Sequence, residues 1–197
     1  LDNACKKWDS SGFNNLEEAL QRFKPEIISV CVPSESHYDN LKRIADFKPK
    51  LVLSEKPITL KPKLSKEICE IYEQNNILLS VNYTRRFDKY IHTLKEKIIN
   101  NSYGEILNCS IIYTKGILNN GCHVLNLIEY LFGIINSYKV LRQIEDYNNP
   151  HGDKTLDAWV TTQNCSSVHI IGASEKAYSI LEMDILFEKS RINYNQF

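Results

Sequence analysis

The sequence lacks an excess of charge of either sign, and it lacks long apolar runs. Its 197 residues contain 24 Lys and Arg against 24 Asp and Glu, which gives a formal net charge of +0. Proteins that bind nucleic acids need a surplus of Lys and Arg on one face to contact phosphates, so this balance argues against that class. A membrane-spanning helix needs about 20 apolar residues in succession. The purely apolar runs are only a few residues long, as at 77–79, so we predict no membrane span and no nucleic-acid partner.

We also predict neither a signal peptide nor a disulfide framework from this sequence. The sequence does not begin with Met and has no basic-then-apolar start. Its six cysteines, at positions 5, 31, 69, 109, 122 and 165, form no C-x-x-C pair. This spacing predicts no metal site, and it favours a reducing cytoplasm over a disulfide-bonded fold. Cys31 is interpreted as a small hydrophobic residue of a core strand. The abundance of Asn, Ile and Lys is typical of an AT-rich bacterial genome.

What the sequence does contain is a regular alternation of helices and strands between residues 16 and 82. Helices are predicted over 16–23, 37–47 and 60–75, and strands over 26–32, 51–54 and 77–81. Asn15 is the predicted N-cap of the first of these helices. The strands are apolar almost throughout rather than alternating, which indicates burial on both faces, as in a parallel sheet. This order predicts a doubly wound, Rossmann-like α/β sheet.

The rhythm changes after residue 87. Helices are predicted over 89–100 and 123–132, and strands over 105–113, 138–144, 156–163, 166–172 and 178–187. Such a run of strands beside two helices is typical of an α+β layer with an open, mainly antiparallel sheet. We therefore predict two domains, residues 1–86 and residues 87–197.

Polar side chains follow each of the three strands of the first domain. The segments are Pro33-Ser34-Glu35-Ser36-His37, Glu55-Lys56-Pro57 and Asn82-Tyr83-Thr84-Arg85-Arg86. Ligands of open α/β sheets bind outside the carboxyl ends of the strands. The sequence therefore predicts a ligand site at this edge.

Lys56 and His123 are the residues of these segments best suited to proton transfer. A lysine in a turn is usually solvated, but Pro57 and the neighbouring Glu55 favour a partly buried Lys56 ammonium. Such an ammonium either stabilises a developing alkoxide or relays a proton. His123 begins an apolar helix, where it is either a core or capping residue or a general base that titrates near neutral pH.

His37 and Arg86 have two readings each. His37 opens a helix, as a polar cap or as a contact to a ligand at the strand end. Arg85 and Arg86 either bind an anionic or hydroxylated ligand or tie the two domains together.

Four motifs carry a resemblance to a known family. In order they are Pro33-x-x-x-His37, Glu55-Lys56-Pro57, Asn82-Tyr83-x-x-Arg86-Phe87 and Asn120-Gly121-x-His123. In order and spacing they resemble the Gfo/Idh/MocA family of NAD(P)-dependent oxidoreductases, which includes glucose–fructose oxidoreductase and inositol dehydrogenase. The resemblance covers roughly residues 16–187.

The resemblance implies hydride transfer between NAD or NADP and a hydroxyl carbon of a sugar, sugar derivative or cyclitol. It implies that the first domain belongs to a Rossmann nucleotide-binding domain and that the second lines the substrate cleft and joins subunits into a homo-oligomer. Pro33, Ser34, His37, Glu55, Lys56 and Pro57 would lie at the cofactor, and Asn82, Arg86, Asn120 and His123 at the substrate.

For catalysis the resemblance implies Lys56 and His123, together with an Asp four residues before the histidine. This sequence has Asn119 at that position. An amide can hold substrate or orient the imidazole, but it does not stabilise an imidazolium by charge. Lys56 is therefore expected to carry more of the proton transfer. A non-catalytic relative that binds a ligand or a partner is the alternative.

A Rossmann unit also has a glycine-rich G-x-G-x-x-G turn after its first strand, and residues 1–25 contain none. We expect roughly 50 residues or more of that unit to be missing, judged from the size of a βαβ unit, and the second domain to be incomplete. A chain without this turn is expected to bind NAD poorly, because the pyrophosphate then has no helix N-terminus. The third alternative is therefore an inactive fragment.

Overall fold

A computed structural model describes residues 1–145, 152–176 and 179–195. The chain divides into two compact units, Leu1–Asn82 and Tyr83–Phe197. Among the described residues, no helix is long and apolar enough to cross a lipid bilayer.

The first unit is a parallel α/β sheet. Its helices are α1 (Asp2–Trp8), α2 (Leu16–Phe23), α3 (His37–Ala45) and α4 (Pro62–Gln74), and its strands are β1 (Ile27–Val30), β2 (Leu51–Ser54) and β3 (Leu78–Val81). The strands pair in the order β1-β2-β3, all parallel, which confirms the predicted sheet. Val30, Ser54 and Val81 are direct partners, so all three strands end level at one edge.

Local signals explain where these helices begin and end. The Asn15 side chain accepts a hydrogen bond of 2.9 Å from the Glu18 amide, as predicted for an N-cap, and Lys24 ends α2 in the left-handed conformation. Pro62 occupies the first turn of α4, where its missing N–H leaves no helical bond unmade. Helix α1 was not predicted, since it buries no residue and therefore has no apolar stripe.

Two predictions about the first strand are wrong. Ile27 is 66% exposed and Cys31 is exposed, so β1 is not buried on both faces and Cys31 is not a core residue. The physical reason is that Ile27, Leu51 and Leu78 pair side by side on the less buried face of the sheet. The opposite face forms the core with the helices, through Leu20, Val30, Leu41, Ile44, Ala45, Val52, Ile68, Tyr72 and Ile77.

The second unit is an α+β layer. It contains the helices α5 (Lys89–Ile99) and α6 (Cys122–Phe132) and the strands β4 (Ile106–Tyr113), β5 (Ile135–Ile144), β6 (Thr155–Thr162), β7 (Val168–Gly172), β8 (Leu181–Phe187) and β9 (Arg191–Asn195). The sheet has the order β5-β6-β7-β4-β8-β9. Its pairs are antiparallel except β4 with β7, which is parallel. The predicted α+β class is confirmed. The sheet is mixed, mostly antiparallel, and it contains one strand, β9, that was not predicted. The predicted strand 178–187 begins at Tyr178, which lies outside the described residues.

Alternation along the strands separates the two faces of this sheet. In β4, Cys109, Ile111 and Tyr113 are buried, while the residues between them are half-buried. The buried set packs with α5 and α6 into one core that includes Leu127, Leu131, Phe132, Val168 and Ile185. Gly133 ends α6 at φ 86°, a left-handed value that favours glycine.

Candidate functional site

At the carboxyl edge of the parallel sheet, a hydrogen bond links two of the polar segments that were predicted to bind a ligand. The Asn82 amide, which follows β3, donates a hydrogen bond of 2.7 Å to Oε1 of Glu55, which follows β2. Both side chains are half-buried, as is Lys56 between Glu55 and Pro57. The Lys56–Pro57 peptide bond is cis. An ammonium, a carboxylate and an amide therefore share this edge.

His37 links the segments that follow β1 and β2. Its imidazole is completely buried, with Nδ1 2.7 Å from the Pro57 carbonyl oxygen and Nε2 2.9 Å from the Val32 carbonyl oxygen. Both ring nitrogens are therefore engaged by the main chain. The structure gives His37 a supporting contact to the segment that carries Lys56, and its role beside a cofactor stays a prediction.

Pro33 and Ser34 lie at the same edge, in a single 3-10 turn over Ser34–Ser36. The Ser36 amide donates to the Pro33 carbonyl at 2.9 Å, which closes the turn. Pro33 is exposed and Ser34 is half-buried. The residues predicted for the first unit thus meet at one edge, because the parallel strands end level there.

In the second unit, His123 lies in the first turn of α6 and is only 6% exposed. The Tyr83 ring meets the imidazole edge-on, with centroids 5.8 Å apart and planes at 89°. Burial raises the pKa of the Tyr83 phenol, and the neighbouring Cys122 adds to that rise, so the hydroxyl keeps its proton. Tyr83 lies in one of the predicted segments and motifs, but no role was predicted for it, because its contact with His123 joins residues 40 positions apart in the chain.

Arg86 packs on the same helix at Tyr130, which lies nearly two turns beyond His123. Its guanidinium lies over the Tyr130 ring, 4.9 Å from the centroid. The Nε atom of Arg86 is buried without a hydrogen-bond partner. Beside it, burial lowers the pKa of the Arg85 guanidinium. Two half-buried cations therefore stand in the turn Thr84–Phe87.

The segment that carries Asn119, Asn120 and Gly121 is a single turn of π-helix over Gly116–Gly121, which runs directly into α6. The buried Asp153 carboxylate accepts hydrogen bonds from the amides of Leu118 and Asn119. The Asn119 carbonyl in turn accepts a bond of 3.0 Å from the Cys122 thiol. Asp153 was not predicted as a site residue, because a contact across 34 residues leaves no local pattern in the sequence.

Chemically, the first unit offers a half-buried amine that is next in sequence to a carboxylate, and the second offers a buried imidazole packed against a tyrosine ring. All six cysteines are free, and no group of three or more His, Cys, Asp or Glu among the described ranges is arranged to hold a metal.

The first unit is similar to a family of known proteins. Residues 1–83 match the model of an oxidoreductase family with an NAD-binding Rossmann fold, Gfo/Idh/MocA. The chain is 27% identical to D-glucoside 3-dehydrogenase of Escherichia coli over 103 residues, which are 52% of this chain and 29% of that protein. It is 24% identical to glucose-6-phosphate 3-dehydrogenase of Bacillus subtilis over 153 residues, which are 66% of this chain and 43% of that protein. The chain thus spans less than half the length of these relatives.

Solved structures share the fold of both units. The WlbA dehydrogenase of Bordetella pertussis, solved with NADH and UDP-GlcNAcA, matches with a TM-score of 0.86 and 17% identity, over 98% of this chain and 65% of that one. The scyllo-inositol dehydrogenase of Lactobacillus casei matches with a TM-score of 0.78 and 17% identity, over 100% of this chain and 64% of that one.

Proposed function

Because residues 1–83 match the Gfo/Idh/MocA family of oxidoreductases, we propose that the whole protein transfers a hydride between a nicotinamide cofactor and a hydroxyl carbon of a sugar, sugar derivative or cyclitol. The observation that carries this proposal is the sheet edge at which Glu55, Lys56 and Asn82 meet after parallel strands. Residues 1–86 would belong to the dinucleotide-binding domain, and residues 87–197 to the substrate domain.

The polar groups at this edge fit NAD or NADP. Ser34, Lys56 and Asn82 offer a hydroxyl, an ammonium and an amide, all half-buried, and such donors suit the hydroxyls and the carboxamide of a dinucleotide. Pro33, Ser34, His37, Glu55, Lys56 and Pro57 would hold it. When bound, the nicotinamide ring accepts or returns the hydride at C4.

Lys56 is proposed to move the proton. Oxidation of a hydroxyl carbon releases the hydroxyl proton as the carbonyl forms, so a base must take it, and the same group returns it in the reverse direction. An amine at a half-buried position beside a carboxylate can perform both steps. Glu55, held by Asn82, would keep that amine oriented.

His123 and Asn119 are proposed to act on the substrate hydroxyls. An imidazole accepts and donates hydrogen bonds near neutral pH, and the Asn119 amide supplies a donor and an acceptor without charge. Contacts to the polyhydroxylated substrate are proposed for Asn82 of the first unit and for Arg86, Asn120 and His123 of the second.

Two further proposals concern assembly and location. We infer that the outward face of the mixed sheet joins copies of this chain into a homo-oligomer. It is supported by Trp159 and Leu186, which are 42% and 45% exposed on that face, and by the stacking of Trp159 on His169 at 4.3 Å. Trp159→Asp should lower the association constant measured by sedimentation equilibrium, whereas Trp8→Asp, at an exposed site of the first unit, should not. We also propose a reducing cytoplasm, which six cysteines outside disulfides support, and a bacterial source, which the abundance of Asn, Ile and Lys supports.

The proposed reaction is tested by Lys56→Ala in the full-length protein. Substrate-dependent reduction of NAD or NADP, followed by absorbance with glucose 6-phosphate and myo-inositol as probes, should fall by about 10²–10⁴-fold, the usual contribution of a general base. Cofactor binding, followed by nicotinamide fluorescence, should stay nearly intact. Lys63→Ala, at an exposed lysine of α4, is the matched control.

Unchanged turnover in Lys56→Ala would exclude Lys56 as the proton carrier. A full-length protein that binds neither NAD nor NADP would favour the non-catalytic binding relative, for which Asn119 in place of an acid is the supporting observation.

A further inference from the structure

Backbone amides of the turn Gly116–Gly121 donate hydrogen bonds to one short segment elsewhere in the chain, Asp153–Thr155. The amide of Leu118 lies 2.9 and 3.1 Å from the two carboxylate oxygens of Asp153, and the amide of Asn119 lies 3.1 Å from Oδ2. The Asp153 residue is only 7% exposed. A buried carboxylate that accepts backbone N–H groups forms charge-assisted bonds, which are stronger than neutral ones.

The two preceding amides are satisfied by the same segment. The Ile117 amide donates to the Lys154 carbonyl at 2.9 Å, and the Gly116 amide donates to Oγ1 of Thr155 at 2.9 Å. Thr155 is completely buried. Four consecutive N–H groups, from 116 to 119, therefore bond to three consecutive residues. We call Asp153–Thr155 the cradle segment.

These four amides are the ones a helix cannot satisfy itself. The first bond within the turn comes from the Asn120 amide to the Lys115 carbonyl, at 3.4 Å. The N–H groups before it form the start of a helical stretch that runs from Gly116 through α6 to Phe132. The negative charge of Asp153 thus lies at the positive end of that stretch, where it is electrostatically favoured.

The backbone at the start of this turn has a conformation that its surroundings must hold in place. Lys115 and Gly116 both have left-handed backbone angles, at φ 69° and 75°, and a left-handed lysine is held only where its surroundings determine it. The turn carries Asn119 and Asn120 and leads straight to His123. Its orientation therefore sets that of three proposed site residues.

We propose that Asp153 is a positioning residue of the active site: its carboxylate fixes the backbone of Leu118 and Asn119 and thereby aims Asn119, Asn120 and His123 at the substrate. The inference rests on the proposed function for its link to catalysis, and on the hydrogen bonds alone for the link to the turn. The ligand it serves is a polyhydroxylated substrate, since amides and imidazole bind hydroxyl groups.

The decisive variant is Asp153→Asn in the full-length protein. The amide keeps the size of the carboxylate but replaces one acceptor oxygen by an NH₂ donor, which then faces a backbone N–H. Hydrogen exchange at the amides of Leu118 and Asn119, followed by NMR, should accelerate by about tenfold or more, because a lost charge-assisted bond lowers the local opening free energy. Exchange in β8 should not change.

The kinetic arm uses NAD or NADP with glucose 6-phosphate and myo-inositol as probes. Catalytic efficiency should fall by about 10–100-fold, since small displacements of substrate-orienting groups cost that much. The dissociation constant of the cofactor should change less than about twofold, a split that general destabilisation would not produce. Asp157→Asn is the matched control, because that carboxylate on β6 also accepts a backbone amide, from Gly172 at 2.7 Å, but does not touch the turn.

Unchanged exchange at Leu118 and Asn119 in Asp153→Asn overturns the proposal whatever the activity. Accelerated exchange with unchanged catalytic efficiency, or an equal kinetic loss in Asp157→Asn, overturns its link to the active site. If the unmodified protein transfers no hydride to or from any probe, the proposed function fails, and exchange alone then decides whether Asp153 fixes the turn.

Discussion

The Asn82 amide donates a hydrogen bond of 2.7 Å to the Glu55 carboxylate, across the ends of two parallel strands. This bond ties the residue before Lys56 to the last residue of the first unit. Glu55 and Asn82 belong to two of the polar segments that the sequence predicts after separate strands. The hydrogen bond between them shows that these two segments meet at one edge of the sheet.

Asn82→Asp should destabilise the first unit in a pH-dependent way. At neutral pH it places two carboxylates within hydrogen-bond distance, a like-charge contact that we expect to lower the free energy of unfolding by about 1–3 kcal/mol. The loss should shrink as the pH falls toward about 4, where carboxyl groups take up protons. Urea unfolding at pH 7 and pH 4 measures this, with Asn82→Ser as the uncharged control. An equal loss at both pH values would mean that charge repulsion is not its cause.

His37→Leu should lower the free energy of unfolding by about 1–3 kcal/mol, because it leaves two carbonyl oxygens at a buried site without their imidazole partner. The imidazole is completely buried, and its two nitrogens lie 2.7 and 2.9 Å from the carbonyl oxygens of Pro57 and Val32. Urea unfolding is the measurement. His92→Leu, at an exposed histidine of α5, is the control, and an equal loss in both variants would contradict the prediction.

Tyr72 should make the first unit sensitive to alkali. It is 1% exposed, its hydroxyl donates to the Leu41 carbonyl at 2.9 Å, and burial raises its pKa well above the ordinary value. The unfolded chain therefore loses the phenolic proton first, near pH 10, while the folded chain keeps it. Stability is full below that pH and falls above it, by at most about 1.4 kcal/mol per pH unit.

Tyr72→Phe removes this group and separates the two effects. At pH 7 it should cost about 1 kcal/mol for the lost hydrogen bond. Above pH 10 its stability should decline less steeply than that of the unmodified protein, as followed by urea unfolding of the first unit. Parallel declines in the two proteins would assign the alkaline loss to other groups.

Asn15→Ala should lower the free energy of unfolding by about 1 kcal/mol, the usual cost of losing an N-cap. The bond that is lost is the one from the Glu18 amide at 2.9 Å. Asn14→Ala is the matched control, since the neighbouring asparagine is exposed and does not cap the helix. Equal effects of the two substitutions would show that the cap contributes nothing.

The sequence was sufficient for elements with strong periodicity or a clear boundary residue. The strands at 51–54 and 105–113, the Asn15 cap and the end of α6 at Gly133 were all predictable, because each depends on residues close in the chain. The edge at which Glu55 and Asn82 meet was also predictable, since parallel strands end together.

What could not be predicted depends on residues far apart or on coverage by neighbours. The continuous apolar run around Ile27 implied burial on both faces, yet one face of that strand is exposed, because periodicity does not reveal what covers a strand. The parallel pairing of β4 with β7 and the bond from Asn119 to Asp153 join residues dozens of positions apart, and no local pattern encodes them.

The place of β4 in the mixed sheet bears on synthesis of the chain. It is an interior strand, and both of its partners, β7 and β8, come some 55 to 80 residues later by the bounds of these strands. During translation, Ile106–Tyr113 is therefore synthesised before either of its partner strands, and both of its edges stay unpaired until β7 and β8 follow. Unpaired strand edges of this kind are prone to aggregate. Chaperone dependence during translation should consequently centre on this strand rather than on the first unit, whose three strands pair with near neighbours.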